Sequence, residues 1–429
     1  MTAGTTFVIK GGRVVDSNGS RRADVVVDDG RITAVGPDLS ADRVIDAGGC
    51  VVAPGLVDLH AHLRQPGLEE AETVETGSRA AALGGFTAVV AMPNTTPAID
   101  SAGVVREVQE LGRGALCHVA PAGAVTVGRL GSQLAPLAEM AELGVRLFTD
   151  DGTGVQDSGL MRRAMEYATG LASPVVLAQH CEDDALAGGG HMHEGEWSSR
   201  LGIAGQPAEA EELMVMRDIA LARLTGARIH LQHLSTAGSV AMVRAARDDG
   251  VAVTAEATPH HFTLTAECCA SYDPVFKVNP PLRTDADVAA VRAGLADGSL
   301  DAIATDHAPH TQESKEQPFD EAPPGMLGLE TALALALTES GLALEVILAL
   351  LSWQPAAIAG LAPAHGGPIA PDRPANLCVL DPTATWVVDP AASASRSRNT
   401  PYAGRRLTGR VRHTVLAGEA VVLDGEAQR

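Results

Sequence analysis

Two scarcities in the sequence limit what this chain can be. Aromatic residues make up only 3% of it, so a core has to be built mainly from alanine, valine and leucine. Basic residues are also few, with 32 Lys and Arg against 53 Asp and Glu and a net charge of −21. Nucleic acids and anionic membranes are bound through basic surfaces. The charge therefore argues against both as partners.

The Cys-x-x-Cys motif and long uninterrupted apolar runs are missing as well. The six cysteines include no Cys-x-x-Cys pair, which is typical of reduced thiols in a cytosolic protein. No basic and then apolar signal segment follows Met1. The most apolar region, 330–353, is interrupted by Glu339, Ser340 and Glu345, which argues against a membrane span. We therefore predict a cytoplasmic protein.

Between residues 55 and 364, apolar runs with strand character alternate with helical segments rich in alanine and leucine. This alternation is typical of parallel strands joined by crossover helices. Eight strands are predicted, the number that a closed (β/α)8 barrel requires. They are 55–62, 87–92, 118–120, 146–149, 175–180, 228–233, 251–257 and 302–305. Helices are predicted at 75–83, 160–169, 209–224 and 240–248.

Both ends of the chain have a different sequence pattern, which predicts short strands separated by turns. Near the start, Asp29-Gly30 lies between two apolar runs, which is a hairpin signal. Similar short runs return after residue 375. The sequence therefore predicts an α/β fold in which 1–54 and 365–429 form one small composite β-sandwich domain. The barrel, 55–364, is inserted between them.

Ligand-type side chains end most of the predicted barrel strands. His60 and His62 are two residues apart, so in an extended strand they point to the same side. Other strands end at Asn94, Asp151, His180, His233 and Asp306. The carboxyl ends of barrel strands meet at the mouth, where this fold carries its chemistry. Four histidines and two aspartates at one rim predict a binuclear metal site, with Zn²⁺ as the favoured ion.

Seven motifs together resemble those of the dihydroorotases, in particular the longer bacterial type within the amidohydrolase superfamily. They are Asp58-Leu-His-Ala-His-Leu-Arg-Gln-Pro-Gly, Met92-Pro-Asn-Thr, Phe148-Thr-Asp-Asp-Gly, His180-Cys-Glu-Asp, His233-Leu-Ser-Thr, Asn279-Pro-Pro-Leu-Arg and Ala304-Thr-Asp-His-Ala-Pro-His. The resemblance covers the whole chain and implies a distorted (β/α)8 TIM barrel. It also implies the reversible cyclisation of N-carbamoyl-L-aspartate to (S)-dihydroorotate and water, a step of de novo pyrimidine (UMP) biosynthesis.

The resemblance assigns roles to individual residues. The implied ligands of two Zn²⁺ ions per subunit are His60, His62 and Asp306 for one ion, His180 and His233 for the other, and Asp151 as the bridge. Asp150 is left open as an alternative bridge. Asp306 is also implied as the catalytic proton shuttle. The residues implied at the substrate are His62, Arg64, Asn94, Asn279, His310, Pro324 and Gly325.

Two other functions are left open. A dihydropyrimidinase or hydantoinase hydrolyses similar rings, but the resemblance implies a modified lysine as its bridge, and this chain has no Lys between Arg146 and Val155. A non-catalytic homologue in a carbamoyltransferase complex would have lost metal ligands, and none is lost here. We expect a small-molecule substrate, and leave open both a homo-oligomer and association with aspartate carbamoyltransferase.

Overall fold

In the computed structural model, which describes residues 6–429, the chain begins with seven short strands. They are β1 (Phe7–Lys10), β2 (Arg13–Asp16), β3 (Gly19–Arg22), β4 (Asp24–Asp28), β5 (Arg31–Gly36), β6 (Arg43–Asp46) and β7 (Val51–Pro54). Asp29 and Gly30, which join β4 to β5, have φ angles of 45° and 78°. A common two-residue hairpin turn needs positive φ angles at both of its central residues. The predicted hairpin is therefore present.

Eight parallel strands form the barrel. In chain order the next strands are β8 (Leu56–Ala61), β9 (Phe86–Ala91), β10 (His118–Pro121), β11 (Leu147–Phe148), β12 (Val176–His180), the outer pair β13 (Met192–His193) and β14 (Gly205–Gln206), then β15 (Ile229–Gln232), β16 (Val253–Ala257) and β17 (Ala302–Ile303). These strands form two arcs, with the orders β10-β9-β8 and β11-β12-β15-β16-β17. Isolated β-bridges between Gly123 and Phe148 and between Ala61 and His307 join the two arcs. The prediction of a (β/α)8 barrel is confirmed.

Helices cover the barrel. They are α1 (Val74–Leu83), α2 (Ala102–Leu111), α3 (Leu137–Glu142), α4 (Ser158–Thr169), α5 (Asp184–Ala187), α6 (Glu196–Leu201), α7 (Glu209–Thr225), α8 (Ala237–Asp248), α9 (Asp285–Asp297), α10 (Gln312–Lys315), α11 (Ala332–Glu339), α12 (Leu344–Leu348) and α13 (Gln354–Ile358). The four predicted helices agree with α1, α4, α7 and α8 to within three residues at each end. Over residues 6–429, no helix combines the length and the apolar content that a membrane crossing needs.

The side chains of Thr73, Asp157 and Thr236 start helices α1, α4 and α8. Each accepts a hydrogen bond from a backbone N–H in the first helical turn, which such N-terminal groups otherwise lack. Shorter helical turns complete the structure. These are the 3₁₀ turns Gly112–Gly114, Val127–Arg129, His260–Phe262, Ala266–Ser271, Pro274–Phe276 and Pro390–Ala392, and the π-helical turn Ala349–Trp353.

Strands from both ends of the chain share one sheet. The last strands are β18 (Leu377–Val387), β19 (Arg406–Leu416), β20 (Glu419–Leu423) and β21 (Glu426–Ala427). The sheet order β21-β20-β19-β18-β7-β2-β3 places β18 beside β7, and a second sheet has the order β5-β4-β1-β6. Phe7, Val25 and Val415 belong to the apolar core between the two sheets. The predicted composite β unit is therefore present, although residues 1–5 of its predicted range 1–54 lie outside the described residues.

Between β18 and β19 the chain leaves this β unit and packs on the loops at the barrel mouth. We call residues 395–400 the clasp segment. It is polar in sequence, and yet four of its six residues are buried, with Ser395 only 1% and Asn399 only 6% exposed. The backbone N–H of Leu327 donates to the carbonyl of Asn399 at 3.0 Å. The range 365–429, predicted as part of the β domain, thus includes residues that belong to the barrel surface.

Candidate active site

The polar residues predicted at the barrel mouth surround one cavity of about 180 Å³. His60 lies in β8 and His180 ends β12, while Asn94, Asp151, His233 and Asp306 lie in the loops that follow β9, β11, β15 and β17. His60 is fully buried beneath the cavity. The cavity wall contains all seven residues that were predicted to contact substrate, namely His62, Arg64, Asn94, Asn279, His310, Pro324 and Gly325.

His60, His62 and Asp151 form one group that could hold a metal ion. Nε2 of His60 lies 3.2 Å from Oδ1 of Asp151, and Nε2 of His62 lies 3.6 Å from Oδ2. Asp306 approaches the same two rings, with its Oδ1 3.0 Å from Nε2 of His62 and 3.6 Å from Nε2 of His60. Two imidazoles and two carboxylates therefore converge on one small volume.

Asp151 also belongs to a second group, with His180 and His233. Nδ1 of His180 and Nε2 of His233 lie 2.9 Å apart, and each is 3.6 Å from Oδ1 of Asp151. Asp151 thus faces histidines of both groups, as a bridging ligand must.

Asp150, the alternative bridge, faces a different part of the protein. Its Oδ1 accepts hydrogen bonds from the backbone N–H groups of Val125 and Thr126 at 2.8 and 3.0 Å, and its other oxygen accepts from the Thr126 hydroxyl. The carboxylate of Asp150 is therefore fully used in holding the loop after β10. Of the two neighbouring aspartates, Asp151 is the one that reaches the histidines.

The donor chemistry of both groups fits a divalent metal ion. Nε2 of His60 and Nδ1 of His233 are buried without a hydrogen-bond partner among the described residues, although burying an unpaired polar atom is costly. Imidazole nitrogens combined with carboxylate oxygens are ligands that suit zinc and similar ions. The histidine–aspartate clusters can therefore bind metal.

The histidines keep both aspartates of the site ionised. Burial opposes ionisation of Asp151, but the surrounding imidazoles, His60 foremost, hold the pKa of Asp151 well below its ordinary value. Burial also opposes ionisation of Asp306, and His60 and His62 keep the pKa of that carboxyl below its usual range. Both groups are carboxylates at neutral pH, the state in which they can bind a cation or accept a proton.

Glu256 of β16 is a site residue that the sequence interpretation missed. Its Oε1 lies 3.0 Å from Nδ1 of His60 and its Oε2 lies 3.0 Å from Nε2 of His230. Burial alone would raise the pKa of Glu256, but these two histidines lower it to about 2. A carboxylate on the far ring nitrogen fixes the orientation and the tautomer of a ligating histidine. The available signal was a lone acid within the predicted core strand 251–257, because buried charges need partners.

His62 and His180 have polar neighbours of the same kind. Oδ1 of Asn94 lies 2.9 Å from Nδ1 of His62. On the outer side of His180, Nδ2 of Asn279 lies 3.4 Å and Oε2 of Glu182 lies 3.8 Å from Nε2. Asn94 and Asn279, which were predicted to contact substrate, therefore contact histidines of the two groups that could hold a metal ion.

Arg64 supplies the positive charge of the cavity wall. Its Nε donates to the carbonyl of Pro309 at 3.1 Å, and its Nη2 lies 3.3 Å from Nε2 of His310. The same His310 nitrogen is closer, at 2.8 Å, to the carbonyl of Pro324, which places the ring proton on Nε2. Burial, followed by the charges of Arg64 and Lys315, lowers the pKa of His310 to about 3. The imidazole is therefore neutral and the guanidinium carries the charge.

Comparison with known proteins identifies the family of this chain. A family model described as dihydro-orotase-like matches residues 49–239. A dihydroorotase from Streptomyces coelicolor is 50% identical over 428 residues, which cover 98% of this chain and 99% of the relative. This chain belongs to the dihydroorotase family. A second dihydroorotase, from Pelotomaculum thermopropionicum, is 48% identical over 427 residues, which cover 97% of this chain and 99% of that protein. The family predicted from the seven motifs is confirmed.

The fold of this dihydroorotase-family chain is shared with other cyclic amidohydrolases. An L-hydantoinase (dihydropyrimidinase) from Arthrobacter aurescens has a TM-score of 0.87 and 27% sequence identity, with 99% of this chain and 97% of that structure covered. The α/β architecture with a separate sheet unit is therefore common to both. The chain is a cyclic amidohydrolase by family and by fold.

Three site residues of this dihydroorotase-family chain have backbone angles that residues other than glycine rarely adopt. Arg64, His233 and Asp306 have φ angles of 61°, 37° and 45°. Such conformations cost about 1–3 kcal/mol each and cluster at functional sites. All three lie just after barrel strands, where a left-handed residue turns the chain sharply. The fold thus accepts local strain at the barrel mouth to hold these side chains in the cavity wall.

Proposed function

We propose that this chain is a zinc-dependent dihydroorotase that interconverts N-carbamoyl-L-aspartate and (S)-dihydroorotate in pyrimidine biosynthesis. The observation that carries the proposal is the placement of Arg64, whose guanidinium shares one cavity with Asp306 and the histidine–aspartate groups. A ring carboxylate distinguishes dihydroorotate from neutral cyclic amides. A planar guanidinium is the donor best suited to a carboxylate.

The proposal includes two Zn²⁺ ions per subunit, bridged by Asp151. The proposed ligands are His60, His62 and Asp306 for one ion and His180 and His233 for the other. When bound, such ions polarise a carbonyl and lower the pKa of water to about 7. The support from this chain is that Asp151 is shared by both groups and that His60 and His233 have buried ring nitrogens without a hydrogen-bond partner among the described residues.

Asp306 is the proposed proton carrier. In hydrolysis, its carboxylate accepts a proton from the attacking water and delivers it to the ring nitrogen. The bond between that nitrogen and the carbonyl carbon breaks, and its electron pair stays on the nitrogen. In ring closure, Asp306 takes a proton from the carbamoyl nitrogen as that nitrogen bonds to the carboxyl carbon, and it returns this proton to the departing hydroxide, which leaves as water. Asp306 suits this role because its side chain is ionised and reaches the cavity.

The remaining cavity residues hold the substrate in this proposal. Arg64 binds the ring carboxylate through its planar donor fork. The side chains and backbone proposed to hold the ring itself are His62, Asn94, Asn279, His310, Pro324 and Gly325. Holding the ring at several fixed points supplies the orientation that a water attack on an amide needs.

The test of this function compares the hydrolysis of dihydroorotate with the hydrolysis of neutral dihydrouracil. Both rates are measured on one protein sample whose metal content is known. We expect bound zinc and a kcat/KM for dihydroorotate that exceeds that for dihydrouracil about 100-fold, since charge-assisted hydrogen bonds contribute about 1.5–3 kcal/mol.

The likeness to an L-hydantoinase favours a second candidate, a hydantoinase or dihydropyrimidinase. Preferential hydrolysis of the neutral ring would support it, and inactivity on both rings would support a non-catalytic homologue. A cytoplasmic location and association with aspartate carbamoyltransferase stay predictions.

A further inference from the structure

Asn399 of the clasp segment connects two loops of the active site from outside the barrel. Its Oδ1 accepts a hydrogen bond from the backbone N–H of His310 at 3.2 Å. Its Nδ2 donates to the carbonyl of Ala308 at 2.9 Å and to the carbonyl of Gly325 at 3.1 Å. One buried amide therefore joins the loop that follows β17 to the loop that contains Gly325.

The loop at Gly325 is held closely against His310. Nζ of Lys315 also donates to the carbonyl of Gly325 at 3.0 Å, and the N–H of Gly325 donates to the carbonyl of Lys277 at 2.8 Å. Gly325 has a φ of 139°, and a Cβ at this position would lie 2.8 Å from Nε2 of His310. The two loops therefore pack against each other with no room for a side chain at residue 325.

A second buried group, Glu72, fixes the clasp segment on the barrel. The carboxylate of Glu72 accepts hydrogen bonds from the N–H of Arg396 at 3.0 Å and from the hydroxyl of Ser395. It also lies 3.2 Å from Nε2 of His307, the residue next to Asp306 in the chain. The clasp segment is therefore held on the barrel by Glu72 as well as by Asn399, and its backbone stays in place when Asn399 bonds the active-site loops.

We propose that Asn399 is a positioning residue that holds His310, Pro324 and Gly325 in the geometry that contacts the substrate. This inference rests on the proposed function, in which those residues bind the ring. Asn399 is not among the described residues of the cavity wall, and its hydrogen bonds go to the backbone of the loops. Its loss therefore changes how well the substrate is held, while the residues proposed for metal binding and proton transfer keep their own contacts.

Two substitutions at Asn399 and one matched control test this role. Asn399→Ala removes all three side-chain hydrogen bonds. Asn399→Asp keeps the volume and the acceptor but replaces the two donors by an oxygen that faces two carbonyls. Asn376→Ala is the control, because Asn376 is also 6% exposed and also bonds backbone groups, those of Ala364 and Ala417 at 2.9 and 2.6 Å, neither of which lies in the loops at His310 and Gly325.

We expect both Asn399 variants to raise KM for dihydroorotate about tenfold and to leave kcat within about threefold of wild type. Their metal content should equal that of wild type, and Asn376→Ala should leave KM unchanged. A KM within about twofold of wild type in both Asn399 variants would overturn the inference. A matched loss of metal and kcat, or an equal KM increase in the control, would show a general structural role and overturn it as well.

Hydrogen–deuterium exchange without substrate separates this inference from the proposed function. Amides in residues 306–327 should exchange about tenfold faster in either Asn399 variant than in wild type or in Asn376→Ala, because His310 and Gly325 lose their shared partner. Unchanged exchange in this range would also overturn the inference. If wild type does not hydrolyse dihydroorotate, the proposed function fails, and exchange alone decides the role of Asn399. If Asn399→Ala does not fold, the isosteric Asn399→Asp supplies both measurements.

Discussion

Nδ1 of His60 lies 3.0 Å from Oε1 of Glu256, while Nε2 of the same ring lies 3.2 Å from Asp151. Glu256 thus fixes the side of the ring that faces away from the cavity. Glu256→Gln keeps the shape but removes the charge, so we expect metal affinity to fall about 10–100-fold. Zinc retained at a series of buffered free-zinc concentrations measures this change.

The matched control for Glu256→Gln is Asp218→Asn, which makes the same kind of change at another fully buried carboxylate. The described hydrogen-bond partner of Asp218 is Arg217, outside the cavity wall. We expect Asp218→Asn to retain zinc as wild type does. An equal loss of zinc in both variants would contradict an orienting role for Glu256.

Asp306→Asn should remove most turnover and leave much of the bound metal. Asparagine tolerates the left-handed backbone at this position, where φ is 45°, and keeps an oxygen at the site, but its amide cannot accept a proton. We expect kcat to fall about 10²–10⁴-fold. Steady-state kinetics with metal analysis of the same sample measure both effects. A variant with more than about a tenth of the wild-type kcat would show that Asp306 is not the proton carrier.

Arg64→Met should raise KM for dihydroorotate and have little effect on a neutral ring. A charge-assisted pair lost from the cavity corresponds to a change of about 100-fold. Arg64→Lys should fall in between, because it keeps the charge but loses the planar fork. Parallel kinetics with dihydroorotate and dihydrouracil check this expectation. Equal losses on both rings would indicate that Arg64 acts through its bond to the carbonyl of Pro309.

Asp151→Ala and Asp150→Ala should differ in their effects on metal content and on Tm. Asp151→Ala is expected to lose metal and activity together, because it removes a ligand from both groups. Asp150→Ala should keep metal but lower Tm, since two buried backbone N–H groups lose their acceptor at about 1–3 kcal/mol each. Metal analysis and thermal unfolding of both variants measure the difference.

Reconstitution supplies a second test of the bridge. An aspartate is a permanent carboxylate, whereas a modified lysine depends on dissolved carbon dioxide. Zinc alone should therefore restore the metal-free protein, with no need for bicarbonate. A bicarbonate requirement, or loss of metal from Asp150→Ala but not from Asp151→Ala, would mean that Asp151 is not the bridge.

The sequence predicts those site residues whose positions follow from chain order and local strand geometry. His60 and His62 are two residues apart in an apolar strand, and their convergence follows from strand geometry alone. The choice between Asp150 and Asp151 does not follow in this way. They come just after the two-residue strand Leu147–Phe148, and which of two neighbouring side chains turns inward depends on the backbone of that loop.

Residues whose partners are distant in the chain could not be assigned from the sequence. Glu256 lies 196 residues from His60, and only the closed barrel brings them together. Asn399 is in a polar stretch that resembles an exposed loop between β strands, and its burial depends on Glu72 and the loops around Gly325. Composition and periodicity report which side chains are apolar, but these polar residues are buried because of specific partners.

Asp218 gives the protein a predictable dependence of stability on pH. Burial raises the pKa of Asp218 to about 6, although Arg217 opposes the shift. Since an unfolded aspartate has a pKa of about 3.9, the folded state binds this proton more tightly and loses stability as pH rises from about 4 to 6. Asp218→Asn should therefore have a higher Tm than wild type at pH 7.5 and a similar Tm at pH 4. An equal difference at both pH values would contradict this assignment.

The clasp segment also affects when the enzyme becomes complete during its synthesis. The last barrel strand ends at Ile303, and Asn399 follows almost a hundred residues later. A ribosome that adds about 5–20 residues per second needs roughly 5–20 s for that distance. Asp306, the last of the residues proposed for metal binding, is made near the start of this interval, whereas the partner that joins the loops at His310 and Gly325 is made only at its end. Until Asn399 has been made, the loops at His310 and Gly325 are therefore expected to hold the substrate ring less firmly than in the finished chain.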